Sequence, residues 1–214
     1  EVATYAPGSA EILSRKESWG VILASFFLDP IWWLFVGWLP LYLSETYGFG
    51  VKEIGLYAWV PYVGAMFGAW FGGLLAQNRI SAGWTVNKAR KFVIGLGGLI
   101  MLVSLLMTIK AATPLFAVLL MAAILFGFQT SVGNIQTLPS DFYSGKSVGT
   151  LAGYAGTAAK LAVVGLNFLI PVITVNSYAP AFAVGAALAI LSVASVWTFC
   201  GRIQPLNPPS AGST

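Results

Sequence analysis

The sequence contains no histidine and a single cysteine, Cys200, in 214 residues. Without histidine there is no imidazole proton relay and no Ser-His hydrolytic arrangement. One cysteine permits no disulfide within the chain and no Cys/His metal site. It sits at the end of an apolar run with no partner base, so an intramembrane enzyme has no nucleophile–base pair to work with. No cofactor and no metal are expected. Charge is scarce too: 8% of residues are charged, against about 25% in an ordinary soluble domain. So few charges cannot cover a water-facing surface. The first stretch, EVATYAPGSAEILSRKES, is polar and has no apolar h-region, so it does not read as a signal peptide.

What the chain has instead is apolar length. Hydrophobic residues make up 57%, and the mean hydropathy is +0.81. Spanning a bilayer takes about 20 apolar residues. Six stretches qualify, at roughly 19–43, 54–77, 92–109, 114–135, 149–175 and 179–200. They are continuous rather than alternating and far longer than the ~10 residues of a barrel strand. The expected class is an all-α membrane protein with six transmembrane helices in a lipid bilayer. Residues 1–18 read as a cytoplasmic linker, 19–201 as the bundle and 202–214 as a disordered cytoplasmic tail rich in Pro, Ser and Gly.

The net charge of +4 does not point to nucleic acid, because the basic residues sit between apolar runs. Arg15, Lys16, Arg79, Lys88, Arg90, Lys91, Lys146 and Arg202 fall on one side, and Lys52 and Lys110 on the other. Eight against two places both termini in the cytoplasm. The linker-like start leads us to expect a chain that begins part-way through something longer.

Two ionisable residues remain inside spans. Asp29 lies ten residues beyond Trp19, about 15 Å deep in a hydrocarbon core of about 30 Å. Lys160 reaches a similar depth from the same side. Acid and base at matching heights on parallel spans are expected to meet across the bundle interior. Two roles stay open. The pair locks two helices together, or it belongs to a substrate- or proton-linked site, as intramembrane charges commonly do. Pro30 and Pro40 free the carbonyls of Phe26 and Val36, and Pro30 is expected to kink the helix beside the carboxylate. Trp33, one turn from Asp29, shares its face and is a candidate cavity residue. Trp38 is read as part of an aromatic belt.

Span five carries Gly149, Gly153, Gly156, Lys160 and Asn167 on one face. The glycines suit close helix approach, whereas Lys160 and Asn167 need another reason. Span four offers Thr130, Ser131 and Asn134 on one face and Gln129 and Gln136 on another. Such neutral groups suit the hydroxyls of a polyol or sugar, or bond neighbouring helices together. Gly64, Gly68 and Gly72 in span two form a close-contact stripe, expected to pack on a partner bundle.

The runs FFLDPIWWLFVGWLPLYL, GGLLAQNRISAGWTVNKARK and DFYSGKSVGTLAGYAGTAAK carry a resemblance. They resemble, in order, the seventh helix, the basic loop between helices eight and nine, and the start of helix eleven in hexuronate-type members of the anion:cation symporter family, within the major facilitator superfamily. Gln77 stands where that loop usually has an acid, which puts the usual charge-relay contacts in doubt. The resemblance implies one half, helices seven to twelve, of a twelve-helix fold, with the N-terminal half, its first-helix arginine and its proton-coupling acids outside this sequence. In that family helices seven and eleven flank the central cavity, which would bring Asp29 and Lys160 there.

The expected function is cation-coupled symport of a small organic anion, a hexuronate or related sugar acid, by alternating access. The coupling cation would be a proton or sodium. Lys160, Asn167, Asn134, Ser131, Gln129 and Trp33 are the candidate substrate residues, and Asp29 with Lys160 the candidate coupling or ion pair. The expected location is a bacterial inner membrane. A complete six-helix channel or small oligomeric transporter, and a non-transporting structural membrane subunit, are the alternatives.

Overall fold

A computed structural model describes residues 3–207. The described residues form helices and connections only. These are α1 (Ser9–Ser14), α2 (Lys16–Tyr47), α3 (Val51–Tyr57), α4 (Val60–Ser81), α5 (Val86–Thr108), α6 (Pro114–Phe142), α7 (Lys146–Ile173) and α8 (Ala179–Phe199). Six segments are long and apolar enough to cross a membrane: α2, α3 with α4, α5, α6, α7 and α8. The chain is an all-α integral membrane protein.

Local chemistry sets the boundaries. Gly48 adopts a left-handed conformation (φ 69°) and ends α2, its N–H bonding back to the Ser44 carbonyl. Thr85 and Thr113 cap α5 and α6, each side chain accepting an N–H three residues on, from Lys88 and Phe116. The second apolar run is not one helix. It breaks between Tyr57 and Val60, where Pro61 lacks the amide donor that would continue the hydrogen-bond ladder. By contrast, α2 remains helical through both Pro30 and Pro40.

Packing follows a regular scheme. α6 packs on α4 and α5, α2 packs on α7 and α8, and α5 meets α8. Exchanging α2, α4 and α5 for α6, α7 and α8 carries the α6–α4 and α6–α5 pairings onto α2–α7 and α2–α8, and the α5–α8 pairing onto itself. Successive spans alternate in direction, so α2 and α6 run oppositely. The pairing scheme is that of an inverted three-plus-three repeat, which the amino-acid sequence barely displays.

The glycine stripe of α4 packs inside this scheme, not against a partner bundle. Added side chains at Gly64, Gly68 and Gly72 would collide with the backbone of Ala122, Phe126 and Thr130, one α6 turn apart each time. Small residues at fourfold spacing serve the intrachain α4–α6 contact equally well. Away from it, Phe67, Trp70 and Leu74 of α4 are exposed.

The expected disordered tail also needs correction. Ile203 is buried, its N–H donating to Asn87 Oδ1, and the N–H of Leu206 donates to the Phe142 carbonyl. Residues 202–207 therefore pack on the bundle end; 208–214 lie outside the described residues. The first residues dock at the same end. The Ser144 N–H donates to the Tyr5 carbonyl and Ser147 Oγ to the Pro7 carbonyl, while Ile12 of α1 is fully buried.

Candidate functional site

Asp29 comes from the middle of α2 and Lys160 from the middle of α7, two helices in extensive contact. Lys160 Nζ lies 2.5 Å from Asp29 Oδ2. The same ammonium stands 5.2 Å from the centroid of the Trp33 ring, within cation–π range. One turn of α2 thus presents the carboxylate and the aromatic face to a single cation.

The pair does not sit in the bundle interior as expected. The Lys160 side chain is 60% exposed and that of Asp29 24%. It lies at the rim of a cavity of about 370 Å³ between α2, α6 and α7. Val21, Ser25 and Leu28 line its α2 wall, Val132 and Gln136 its α6 wall, and Ala155 and Gly156 its α7 wall. The reason for the opening is compositional. Gly149, Gly153 and Gly156 have no atom within 4 Å of where a side chain would start, so this face of α7 is open in the bundle.

The remaining candidates divide. Gln136 lines the cavity. Gln129 is half-buried two turns earlier on the same α6 face. Asn167 is exposed on α7. It donates from Nδ2 to the Val163 carbonyl (3.0 Å), and its Oδ1 accepts from Trp38 Nε1 at 3.4 Å. Trp38, read as part of an aromatic belt, thus reaches back to α7.

Asn134 and Ser131 do not reach the cavity, which corrects their reading as substrate residues. Asn134 is buried and donates to the carbonyls of Gly72 and Thr130, while its Oδ1 accepts from Arg90. Ser131 is buried and donates to the Ile94 carbonyl on α5. Thr130 is likewise buried, donating to Gly68 and Phe126 carbonyls. Their hydrogen-bonding capacity goes into the α4–α6 and α5–α6 contacts, because a polar group inside a bundle must find a partner there.

Two features escaped the reading of the sequence. Ser25 lines the cavity one turn before Asp29, a position that helical spacing from Asp29 could have picked out. Arg90 Nε lies 3.0 Å from Asp141 Oδ2 while the same guanidinium donates to Asn134. Arg90 is near the start of α5 and Asp141 near the end of α6, so an antiparallel hairpin necessarily brings them to one end.

A second cavity, about 430 Å³, opens at the other end between α2, α5 and the α7–α8 connection. There Tyr178 donates to Glu45 Oε2 at 2.8 Å, and burial pushes its phenol up to about 12.

Comparison with known proteins gives a consistent picture. The sequence profile of the Major Facilitator Superfamily matches residues 3–165. A hexuronate transporter of Escherichia coli K12 is 31% identical over 190 residues, covering 88% of this chain and 44% of that protein. A galacturonate transporter of Dickeya chrysanthemi is 37% identical over 95 residues, or 43% of this chain and 27% of the relative. A probable sulfoacetate transporter of Cupriavidus necator is 29% identical over 189 residues, 85% of this chain and 43% of the relative. The chain spans less than half the length of these relatives.

Proposed function

Since the chain belongs to the major facilitator superfamily and is a transport protein rather than an enzyme, we propose that it forms the C-terminal half, helices seven to twelve, of a sugar-acid transporter. The solute is a hexuronate or a closely related acid. One observation carries this reading: a mid-span lysine, paired with a single carboxylate, at the rim of an open cavity with an indole beside it. An intramembrane cation at the rim of such a cavity favours an anion. Gln136 and Ser25 on the cavity wall supply neutral hydrogen-bonding groups for sugar hydroxyls. The relatives are transporters of hexuronate, galacturonate and sulfoacetate by name, each solute a carboxylic acid.

The pair also provides a route to coupling. Lys160 bridges Asp29 when the site is empty. An incoming carboxylate competes for the same ammonium. Asp29 then loses its counter-charge, and a coupling cation would take the place of the ammonium beside it. Substrate and cation would enter together and leave together, which is symport. The open faces of α7 and α4 are where the first six helices would pack, with the cavity between the halves and access alternating as one half rocks against the other. Both described chain ends lie on the cytoplasmic face of a bacterial inner membrane in this reading.

The test is uptake by proteoliposomes of the intact transporter. Radiolabelled galacturonate should accumulate under an inward proton gradient, and galactose, which lacks the carboxylate, should not. Equal uptake of both would defeat the reading. Accumulation driven by a sodium gradient alone would leave the solute assignment in place and replace the proton as the coupling ion.

A further inference from the structure

On the side of the bundle formed by α5 and α8 runs a groove of about 440 Å³, separate from both polar cavities. Its walls are apolar. Gly95, Leu99 and Leu102 come from α5, and Ile190, Val193 and Trp197 from α8. Leu99, Ile190 and Trp197 are each more than half exposed. The glycines of α5 shape the groove. Gly98 lets Val193 come against the helix backbone, and Gly95 leaves 3.8 Å between its missing side chain and the Trp197 ring.

One end of this groove is charged. Along α5, Leu102, Leu99 and Gly95 continue at helical spacing into Lys91 and Lys88. Along α8, Trp197 leads through Gly201 to the exposed Arg202. Lys91 ties the two strips together by donating from Nζ to the Gly201 carbonyl at 2.5 Å, which leaves two of its three ammonium protons free. Lys88 lies over the Trp84 ring at 4.2 Å. Among the described residues, no carboxylate lies within 4.0 Å of Lys88, Lys91 or Arg202. From Lys91 to Leu102 is about 16 Å along the helix, the depth of one leaflet of a ~30 Å hydrocarbon core.

We propose that the α5–α8 groove is a binding site for an anionic phospholipid. One acyl chain lies against Gly95, Leu99, Leu102 and Val193, and the phosphate sits between Lys88, Lys91 and Arg202. The groove supplies apolar surface of leaflet depth, and the basic end supplies the charge that a neutral lipid does not need. A second copy of the chain is disfavoured as occupant, since a twofold contact here would oppose like-charged ends.

The probe is dioleoyl phosphatidylglycerol added to the intact protein in neutral detergent, with dioleoyl phosphatidylcholine as control. Retention is read by native mass spectrometry and by thermal shift. Phosphatidylglycerol should be retained and should raise Tm, and phosphatidylcholine should do neither. Each basic residue near an anionic headgroup is worth roughly a fivefold change in affinity, so Lys88→Gln with Arg202→Gln should weaken retention by roughly 25-fold. Gly95→Leu should abolish it by filling the groove with the charges intact. If that variant does not fold, Leu99→Trp blocks the same groove from an exposed position. Equal retention of the two lipids, or undiminished phosphatidylglycerol binding in either class of variant, would overturn the proposal. So would a Leu99→Cys cross-link between two copies that phosphatidylglycerol does not suppress.

Discussion

Lys160 on α7 reaches Asp29 on α2 at 2.5 Å while its ammonium also faces the Trp33 ring. The relationship joins two helices at mid-span, yet leaves the lysine more exposed than the acid. An ion pair this exposed holds two helices together only weakly, by about 0–1 kcal/mol. This one stands at the rim of a cavity, where a third charged group can approach it.

The glycine stripe of α4 gives a prediction about stability. Gly68→Leu must push against the backbone of Phe126, which cannot turn aside as a side chain can. We expect a loss of about 1–3 kcal/mol or more. Gly153→Ala, at a position with no atom of this bundle within 4 Å, should cost no packing within the six helices and, as Gly→Ala inside a helix, gain up to about 1 kcal/mol. Melting of the two detergent-purified variants, followed by tryptophan fluorescence, separates them. Equal melting temperatures would contradict the assignment of the two faces.

Arg90 holds Asp141 and Asn134 together at one end of the bundle. Arg90→Ala leaves both partners without their donor and should cost about 1.5–3 kcal/mol. Asp141→Asn in the same background should then cost little, because the charge it removes has already lost its partner. A double-mutant cycle measures this coupling. Additive losses would mean that the two residues act independently.

Topology can be tested at Ala82, in the basic connection between α4 and α5. The excess of Lys and Arg on that side predicts a cytoplasmic loop. Cys200 is buried, so this chain offers little background to a thiol reagent. Ala82→Cys should resist an impermeant maleimide in intact cells and react after permeabilisation. Labelling from outside would invert the orientation.

The six apolar runs were legible because length and hydropathy alone specify a membrane span. Asp29 and Lys160 were legible because a charge within such a run is costly and stands out. Their depth could be counted along the helix. Counting along one helix could not give the direction that each face takes. Asn134 and Ser131 are polar and mid-helix, as a ligand residue would be, but their partners are backbone carbonyls of Gly72, Thr130 and Ile94. Only the packing of α6 between α4 and α5 decides that. The stripe at Gly64, Gly68 and Gly72 marked a close helix contact correctly. It could not say that the contacting helix was α6 of the same bundle. The order of 202–207 was hidden because a proline-rich tail docks through scattered hydrogen bonds rather than through a periodic apolar face.

The central claim is that Lys160 binds the carboxylate of the transported acid, and one comparison tests it most directly. Galacturonate uptake is measured in the intact transporter for Lys160→Ala and for Lys160→Ala with Asp29→Asn, with membrane insertion and folding verified for each. Losing a charge-assisted hydrogen bond to the substrate should lower apparent affinity by roughly 10- to 150-fold. Removing the stranded carboxylate should not restore it. The account therefore predicts that both variants fail in uptake. Uptake restored in the double variant would mean that the lysine serves only to neutralise Asp29, and would contradict the claim.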